Sequence, residues 1–435
     1  MNKKKILALM AAAAMLLSFT ACNNNSTSSE GTESTSQTTS DGAAAAEGSV
    51  LTADIPADKV IAEIKDHPEM NVTFGEFIKE YKYYLASYGI TNDTDPMYAS
   101  SFQSRREYIV NYLINEEVMR KKFEELGLSL SAEDEAQIDT DTETGIESIK
   151  STLKTQISAT LAEGETLTDE ELTQRAEEGF NNLLTSCGLT PDDFRNWQKS
   201  IVMQEKLSDH VNKDFTYERS EAEKEVEKLI ENAKTSYAED KSTYNTDTMS
   251  AFWIPEGSRY IKHILLKFDD EAVTEISTLR SEGKDAEADK LRDEKLAEMA
   301  DKISEVEAKV AAGDDFDALM KEYSGDGDTT MSYLIVPGTT RYMDGFAETA
   351  LAIPELGGTD VCDTDYGHHI IKYTEVAEVK DEDRKTYTDG LYQYLKEAYI
   401  SRNFSDAMVE WRESYSFEID RETLLLAEED ASAEQ

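Results

Sequence analysis

Two adjacent histidines, His368 and His369, stand in the stretch "YGHHII" just before a short apolar run. Histidine is the side chain whose charge and hydrogen bonding change most easily near neutral pH, so the pair is a candidate for chemistry. In a strand, successive side chains point to opposite faces of the sheet. Only one of the two imidazoles can therefore face a given pocket, and its partners must come from elsewhere in the chain.

Metal ions and nucleic acids are disfavoured as partners. A zinc site made from His263, His368 and His369 would need adjacent strand residues to point together, and no acidic or thiol ligand stands at a suitable spacing. The formal net charge of −46 comes without a compensating basic patch, which argues against phosphate binding. Charge of this sign favours solubility and attraction to basic chains instead.

The first segment, residues 1–22, has the layout of an export signal, with lysines, an apolar stretch and small residues before Cys22. Its ending, "FTAC", resembles a bacterial lipoprotein processing site, which implies a lipid on Cys22; ordinary secretory cleavage is the alternative. Residues 23–50 are polar and predict a disordered tether. Cys187 and Cys362 are too few for a disulfide framework, so we expect free or buried thiols, with a pairing between them left open.

The predicted secondary structure that could position the histidines changes along the chain. Residues from about 51 to 236 show helical periodicity, with helix starts at "TFGE" and "TPDDF", and the stretch 236–258 breaks it and marks a boundary. The runs "RYIKHILLKF", "SYLIV" and "HHIIKY" that follow are short and rich in branched and aromatic residues, which is typical of strands. Helical periodicity returns after about residue 380. The chain is thus predicted to be helical, then mixed, then helical again.

Three blocks of the mixed region carry a resemblance to a known family. "KHILLKF" looks like the first strand of parvulin-type peptidyl-prolyl isomerases, "FDALMKEYSGDGD" like their helix and loop, and "GFAETALAIPELGGTDVCDTDYGHHIIKY" like their last helix and histidine strand. The flanks "NVTFGEFIKEY" and "INEEVMRKKFEELGLSLS" are similar to those of exported foldases of the PrsA and SurA type. The resemblance spans nearly the whole chain after residue 50.

This resemblance implies an α+β fold, in which a helical chaperone lobe carries an inserted domain with a small antiparallel sheet flanked by helices. We therefore predict the following segments: 1–22 lipoprotein signal, 23–50 tether, 51–257 helical chaperone domain, 258–378 isomerase domain, 379–427 C-terminal helix packed on the lobe, and 428–435 acidic tail.

The resemblance also implies a site. His263 and His369 would face each other, which leaves His368 on the outer surface, while Asp326 and Thr364 would complete a hydrogen-bonded group. The implied walls of the proline slot are Leu334, Phe346 and either Tyr342 or Met343.

The implied activity is cis–trans isomerisation of Xaa-Pro bonds, which needs no cofactor because no bond is broken. The implied partners are unfolded or partly folded exported polypeptides, with a lipid anchor on the outer face of the bacterial cytoplasmic membrane; a homodimer is left open. A chaperone without isomerase activity is the alternative, since "TTMSYLIVPG" lacks the glycines usual in the family. The acidic "FDDEAVTE" after the first strand predicts no preference for phosphorylated residues and favours neutral or basic residues before proline.

Overall fold

A computed structural model of the chain describes residues 49–161, 166–339, 341–343 and 345–427. Contacts between residues divide the chain into two compact units. The first unit comprises the chain up to Phe215 and again from Ala398 onward, and the second comprises Thr216–Glu397. Cys22 and the predicted signal, most of the tether and the acidic tail lie outside the described residues.

The first unit contains a small sheet as well as helices. Its strands are β1 (Val60–Ile64) and β2 (Val72–Thr73), and its helices are α1 (Phe74–Ser87), α2 (Ala99–Glu125), α3 (Ala132–Ala159), α4 (Asp169–Cys187) and α5 (Pro191–Val211). Strand β1 pairs antiparallel with β2 and with a strand close to the end of the described chain, Phe417–Ile419. The sequence predicted helices here and missed this three-stranded sheet.

Helix starts in the first unit follow from local sequence. Three helices begin with a capping box, at Thr73, Ser131 and Thr168. In each, the side chain of the cap residue accepts a hydrogen bond from the backbone amide three positions later, and the acidic side chain at that position accepts one from the backbone amide of the cap residue. Phe77 and Tyr81 of α1 and Ile114 of α2 are buried and form one core with β1.

The ends of the first unit's two chain segments contact each other. The side-chain amide of Asn212 donates to the carbonyl oxygen of Ile400 at 3.2 Å, and that of Asn403 donates to Asn212 Oδ1 at 2.8 Å. The rings of Phe215 and Tyr399 pack with their centroids 6.2 Å apart. The chain therefore leaves this unit and returns to it at neighbouring points.

The second unit is an antiparallel sheet with helices. Its elements are α6 (Arg219–Glu239), α7 (Thr246–Met249), β3 (Arg259–Lys267), α8 (Asp270–Ser281), α9 (Asp285–Glu298), α10 (Ala300–Ala312), α11 (Phe316–Tyr323), β4 (Tyr333–Ile335), α12 (Phe346–Ala352), β5 (Thr359–Thr364) and β6 (Gly367–Val376). Helix α13 (Asp381–Glu413) begins in this unit and ends in the first, which also holds β7 (Phe417–Ile419). The strand order is β4-β3-β6-β5. This confirms the predicted α+β class.

Domain limits stay a prediction. The four-stranded sheet lies inside the predicted range 258–378, whereas the second compact unit also includes α6 and the start of α13. The charged stretch before residue 312 forms three helices, α8 to α10. None of the described helices is long and apolar enough to cross a membrane.

The two faces of the four-stranded sheet bury different cores. On one face, Ile261, Ile335 and Ile371 pack against Phe346 and Ala350 of α12. On the other, apolar residues of β3 and β6 pack against α10 and α11. Because side chains alternate along β3 and β6, each face receives one of the two adjacent histidines.

Candidate active site

The sheet brings His263 and His369 together. In the register of β3 and β6, Leu265 lies opposite His369, so His263 is its diagonal neighbour on the same face. The two Nδ1 atoms are 3.1 Å apart, and the rings stack with centroids 5.2 Å apart. Each histidine is only 7% exposed.

Asp326 reaches the pair from the loop after α11. That loop lies against β3, because Gly325 N donates to the carbonyl of Leu265 at 2.7 Å and Leu265 N donates to Ser324 Oγ at 3.1 Å. A Cβ on Gly325 would come within 2.6 Å of Lys267 Cβ, so the close approach requires glycine. The loop thereby places Asp326 Oδ2 at 3.1 Å from His263 Nε2.

Thr364 completes the group from the other side. It is buried at the end of β5, and its hydroxyl lies 2.9 Å from His369 Nε2. The same oxygen accepts a hydrogen bond from the backbone amide of Tyr366 at 3.2 Å. Its lone pair is therefore occupied by an amide while its hydrogen is free for the imidazole.

The contacts from Thr364 through His369 and His263 to Asp326 form a chain of hydrogen bonds. Because Asp326 is ionised, it determines which group donates in each of them. Burial raises the pKa of Asp326, but a hydrogen bond from Tyr333, the neighbouring His263 and the amide of Gly327 outweigh burial and hold the pKa below its usual value. A carboxylate only accepts, so His263 donates through Nε2 and must accept at Nδ1. His369 then donates to His263 through Nδ1 and accepts from the Thr364 hydroxyl at Nε2. The donor and the acceptor of each hydrogen bond in the series are thereby determined.

Both imidazoles are neutral. Desolvation lowers the pKa of His263, although Asp326 acts in the opposite direction. Desolvation also lowers the pKa of His369 to about 3, assisted by the neighbouring His263 and His368. A neutral pair is what the hydrogen-bond chain requires, because each imidazole must both donate and accept.

Tyr333 is a site residue that the sequence interpretation missed. Its hydroxyl donates to Asp326 Oδ2 at 2.6 Å, and its ring meets that of His263 edge-on at 5.2 Å. The prediction that Leu334 lines the slot is wrong, because alternation along β4 turns Leu334 to the opposite face from Tyr333, and the cleft is lined by Tyr333. The alternation of "SYLIV" was the signal that could have identified it.

A cleft of about 400 Å³ opens beside this group. Phe346, at the start of α12, meets His263 and His369 edge-on with ring centroids 5.1 and 5.0 Å away. Tyr342 and Met343 both line the cleft, so the two alternatives left by the sequence are both present. Tyr342 is held by its hydroxyl, which donates to the carbonyl of Leu334 at 3.2 Å.

Two cations at the cleft were not foreseen as site residues. Lys267 and Arg341 both line it. Each is paired with an exposed carboxylate outside the lining, Lys267 with Asp270 at 2.7 Å and Arg341 with Asp247 at 3.0 Å. Arg341 belongs to the loop before α12, whose path the sequence does not specify.

His368 lies on the opposite face, as predicted, but it is not a surface residue. It is 6% exposed, with Nδ1 at 2.7 Å from Asp363 and Nε2 at 3.2 Å from Glu307 of α10. The correction follows from the helices inserted after β3, since α10 covers this face. No group of His, Cys, Asp and Glu in the described part of the chain has the geometry to hold a metal ion. Cys187 and Cys362 are free thiols.

The site and fold together define an α+β protein with a buried histidine pair beside an aromatic cleft. No protein-family model matches the chain. Curated proteins named "Foldase protein PrsA" do match it. The one from Clostridium botulinum (strain Loch Maree / Type A3) is 21% identical over 254 residues, 57% of this chain and 60% of that relative. The one from Geobacillus kaustophilus is 27% identical over 211 residues, 45% of this chain and 72% of the relative.

Solved structures of PrsA also align with the chain. The Bacillus subtilis protein aligns over 82% of this chain and 93% of that one, with 16% identity and a TM-score of 0.22. The Lactococcus lactis foldase protein aligns over 84% and 97%, with 13% identity and a TM-score of 0.24. The chain spans about three fifths of the length of the first curated relative. The sequence matches confirm the resemblance to PrsA-like foldases that the motifs predicted.

Proposed function

We propose that the chain is a foldase that catalyses cis–trans isomerisation of Xaa-Pro bonds. The observation that carries this proposal is the hydrogen-bonded chain from Thr364 through His369 and His263 to Asp326, which lies along a cleft walled by Phe346. This hydrogen-bonded group holds the Asp326 carboxylate in a fixed place beside a cleft with an aromatic wall.

The chemistry required is a change in electrostatics rather than bond breaking. Rotation about the amide is opposed by a barrier of about 18–20 kcal/mol, because the planar form places negative charge on oxygen and positive charge on nitrogen. A carboxylate beside the carbonyl oxygen disfavours that charge separation, and so does an apolar wall. Asp326 and Phe346 supply these two elements, and both therefore favour the twisted amide over the planar one.

The histidines position the carboxylate. Since His263 donates to Asp326 Oδ2 and Tyr333 donates to the same atom, the carboxylate cannot turn toward solvent without losing two hydrogen bonds. Neutral imidazoles hold it without cancelling its charge, which a protonated histidine would do. The pair is thus a support for the catalytic group in this proposal.

The activity is tested with a protease-coupled assay on peptides of the Ala-Xaa-Pro-Phe type. Acceleration by the wild-type chain and its loss in Asp326→Ala and His263→Ala support the proposal. A wild-type rate equal to the uncatalysed rate would leave the alternative, a chaperone with an inactive isomerase domain. One feature favours that alternative: Oδ2 of Asp326 already accepts two hydrogen bonds and Oδ1 accepts one from Gly327 N at 2.9 Å.

We place the residue before proline beside Lys267 and Arg341, the two cations that line the cleft. These cations revise the preference expected from "FDDEAVTE", because they disfavour a basic residue there and favour an acidic or neutral one. Phosphate is still not favoured, since a dianion needs cations with all their donors free, whereas each of these two shares its charge with a carboxylate partner. Peptides with Glu, Ala and Lys before proline should rank in that order in kcat/KM, and a rank that begins with Lys would contradict this revision.

Export and anchoring are part of the proposal. The signal-like segment and Cys22 support a lipid-anchored protein whose partners are exported polypeptides. Detergent phase partition of the wild-type chain and of Cys22→Ser tests this: the wild type should enter the detergent phase and the variant should not. Equal partition of both into water would reject the anchor without affecting the isomerase assay.

A further inference from the structure

The first unit contains a cavity of about 590 Å³, separate from the isomerase cleft. Helices α1, α2 and α5 form most of its wall, and Leu130 and Glu135 complete it. Apolar residues of these helices, among them Tyr112, Met119 and Trp197, border this space.

One part of the cavity wall is apolar and flat. Trp197 and Phe123 contribute aromatic rings, and Leu113, Met119 and Met203 contribute flexible aliphatic and thioether groups. Methionine adapts to ligands of differing shape, and aromatic rings pack well on aliphatic chains and on cations. This part suits an aliphatic stem or a planar cation.

The other part carries two carboxyl groups, Glu80 from α1 and Glu116 from α2. Trp197 Nε1 donates to Glu80 at 2.6 Å, and Ser200 and Tyr112 hydrogen-bond Glu116. Within the described ranges, neither carboxyl makes an ion pair with a lysine or an arginine. Two carboxyl groups thus border a cavity with hydrogen bonds but without a counter-ion.

Other charged groups on the wall do not fill that role. Arg120 is engaged by Glu117 at 2.5 Å and by Glu124 at 3.3 Å, and Lys199 is not within ion-pairing distance of Glu80 or Glu116. Nearby Lys79 is paired with Asp193 at 3.1 Å. The remaining titratable groups on the wall are Glu76, Tyr112 and Glu135. Six carboxyl groups and two cations line the cavity, so its charge balance is negative.

Burial shifts the pKa of both carboxyls. It raises the pKa of Glu80 to about 7, although the bond from Trp197 acts in the opposite direction, and Glu116 adds to the increase. Burial also raises the pKa of Glu116 to about 7. Each residue keeps some exposure because it opens onto the cavity. A bound cation would supply the missing counter-ion and lower both pKa values.

We propose that this cavity binds the lysine or arginine side chain of an unfolded polypeptide, with Glu80 and Glu116 as counter-ions and Trp197 packed on its stem. Charge complementarity and the aromatic wall support this occupant. A bare metal ion fits less well, because the described residues hold no group of metal-ligand geometry. The identification of the polypeptide as a client of a foldase rests on the proposed function. The existence of the cation site does not depend on it.

The test uses the full chain and a fluorescent, unstructured peptide with one arginine between leucines. The peptide lacks proline, so the isomerase cleft is not its target. Its comparison peptide carries citrulline, which is neutral and nearly the same shape. At about pH 8 the arginine peptide should bind about 10- to 100-fold more tightly, a range typical of a charged hydrogen-bonded pair. At about pH 5.5 the ratio should fall below about threefold, because both carboxyls are then protonated.

Variants locate the binding. The double variant Glu80→Gln, Glu116→Gln should lose the discrimination at pH 8, whereas Glu147→Gln, an exposed carboxyl outside the cavity, should keep it. His263→Ala should also keep it, so failure of the isomerase proposal would not imitate failure of this one. Equal binding of the two wild-type peptides at pH 8, or discrimination that persists in the double variant, would overturn the inference. The wild-type comparison needs no variant to fold.

Discussion

His368 and His369 are adjacent and almost equally buried, yet their surroundings differ. His369 meets a second imidazole, a hydroxyl and the ring of Phe346, whereas His368 lies between the carboxylates of Asp363 and Glu307. His369 belongs to a series of hydrogen bonds between neutral donors and acceptors. His368, on β6, contacts Glu307 of helix α10, which covers that face of the sheet. Residue type and burial alone therefore do not identify a functional histidine; the partners do.

The largest difference between the two faces should come from their carboxylates. Asp326→Ala should lower kcat/KM by about 100-fold, because it removes the fixed charge beside the cleft. Asp363→Ala removes the carboxylate that holds His368 and should change kcat/KM by less than about twofold, since it does not line the cleft. The protease-coupled assay measures both. Equal losses would mean that the two faces do not differ as described.

The histidines should separate activity from stability. His369→Ala should reduce kcat/KM by about tenfold, equivalent to about 1.4 kcal/mol, which is the size of one lost hydrogen bond. His368→Ala should leave kcat/KM nearly unchanged but lower the free energy of unfolding by about 1–3 kcal/mol, because its buried contacts are lost. Urea unfolding, followed together with the assay, measures both quantities. Loss of activity in a stably folded His368→Ala would contradict the assignment.

Tyr333 offers a smaller and sharper change. Tyr333→Phe keeps the ring but removes one of the hydrogen bonds that lower the pKa of Asp326. Its kcat/KM should fall by about threefold to tenfold, and the acid limb of its pH profile should shift upward. Leu334→Ala is the matched control on the opposite face, and it should affect unfolding but not the pH profile. An unchanged acid limb in Tyr333→Phe would show that its hydroxyl does not act through Asp326.

The smallest expected effect is a flat pH profile. The pKa of His263 is lowered from the ordinary value of about 6.5, that of His369 is lowered to about 3, and the lowered pKa of Asp326 keeps it ionised. Activity should therefore be constant between about pH 6.5 and 8. The two histidines also contribute to the free energy of unfolding, because folding favours their neutral form. This contribution is fully present above about pH 6.5, the pKa in the unfolded chain, and it is lost as pH falls toward their pKa values in the folded protein. An inflection in kcat/KM near pH 6.5 would contradict a neutral pair.

Much of the site could be predicted because its motifs are local. The blocks around His263, Asp326 and His369 each keep their family spacing, and the resemblance supplied their proximity, which the structure places at hydrogen-bond distance. The helix start at Thr73 was also evident, since a capping box is a local signal. Whether these residues act in catalysis stays a prediction.

The rest depends on long-range packing. Arg341 reaches the cleft through a loop without periodicity, and Glu80 and Glu116 meet across two helices, where sequence spacing gives no distance. The sheet of the first unit was missed because β2 has two residues and its partner strand β1 pairs with a strand more than 350 positions later. Local propensity cannot detect such a pairing.

The contacts between Asn212, Ile400 and Asn403 have a practical consequence for modularity. Because the chain departs and returns at adjacent points, a short linker from Phe215 to Ala398 would bridge the gap and delete the second unit. The same arrangement would let the first unit acquire, lose or exchange a second domain by a single insertion, with little disturbance to its own core.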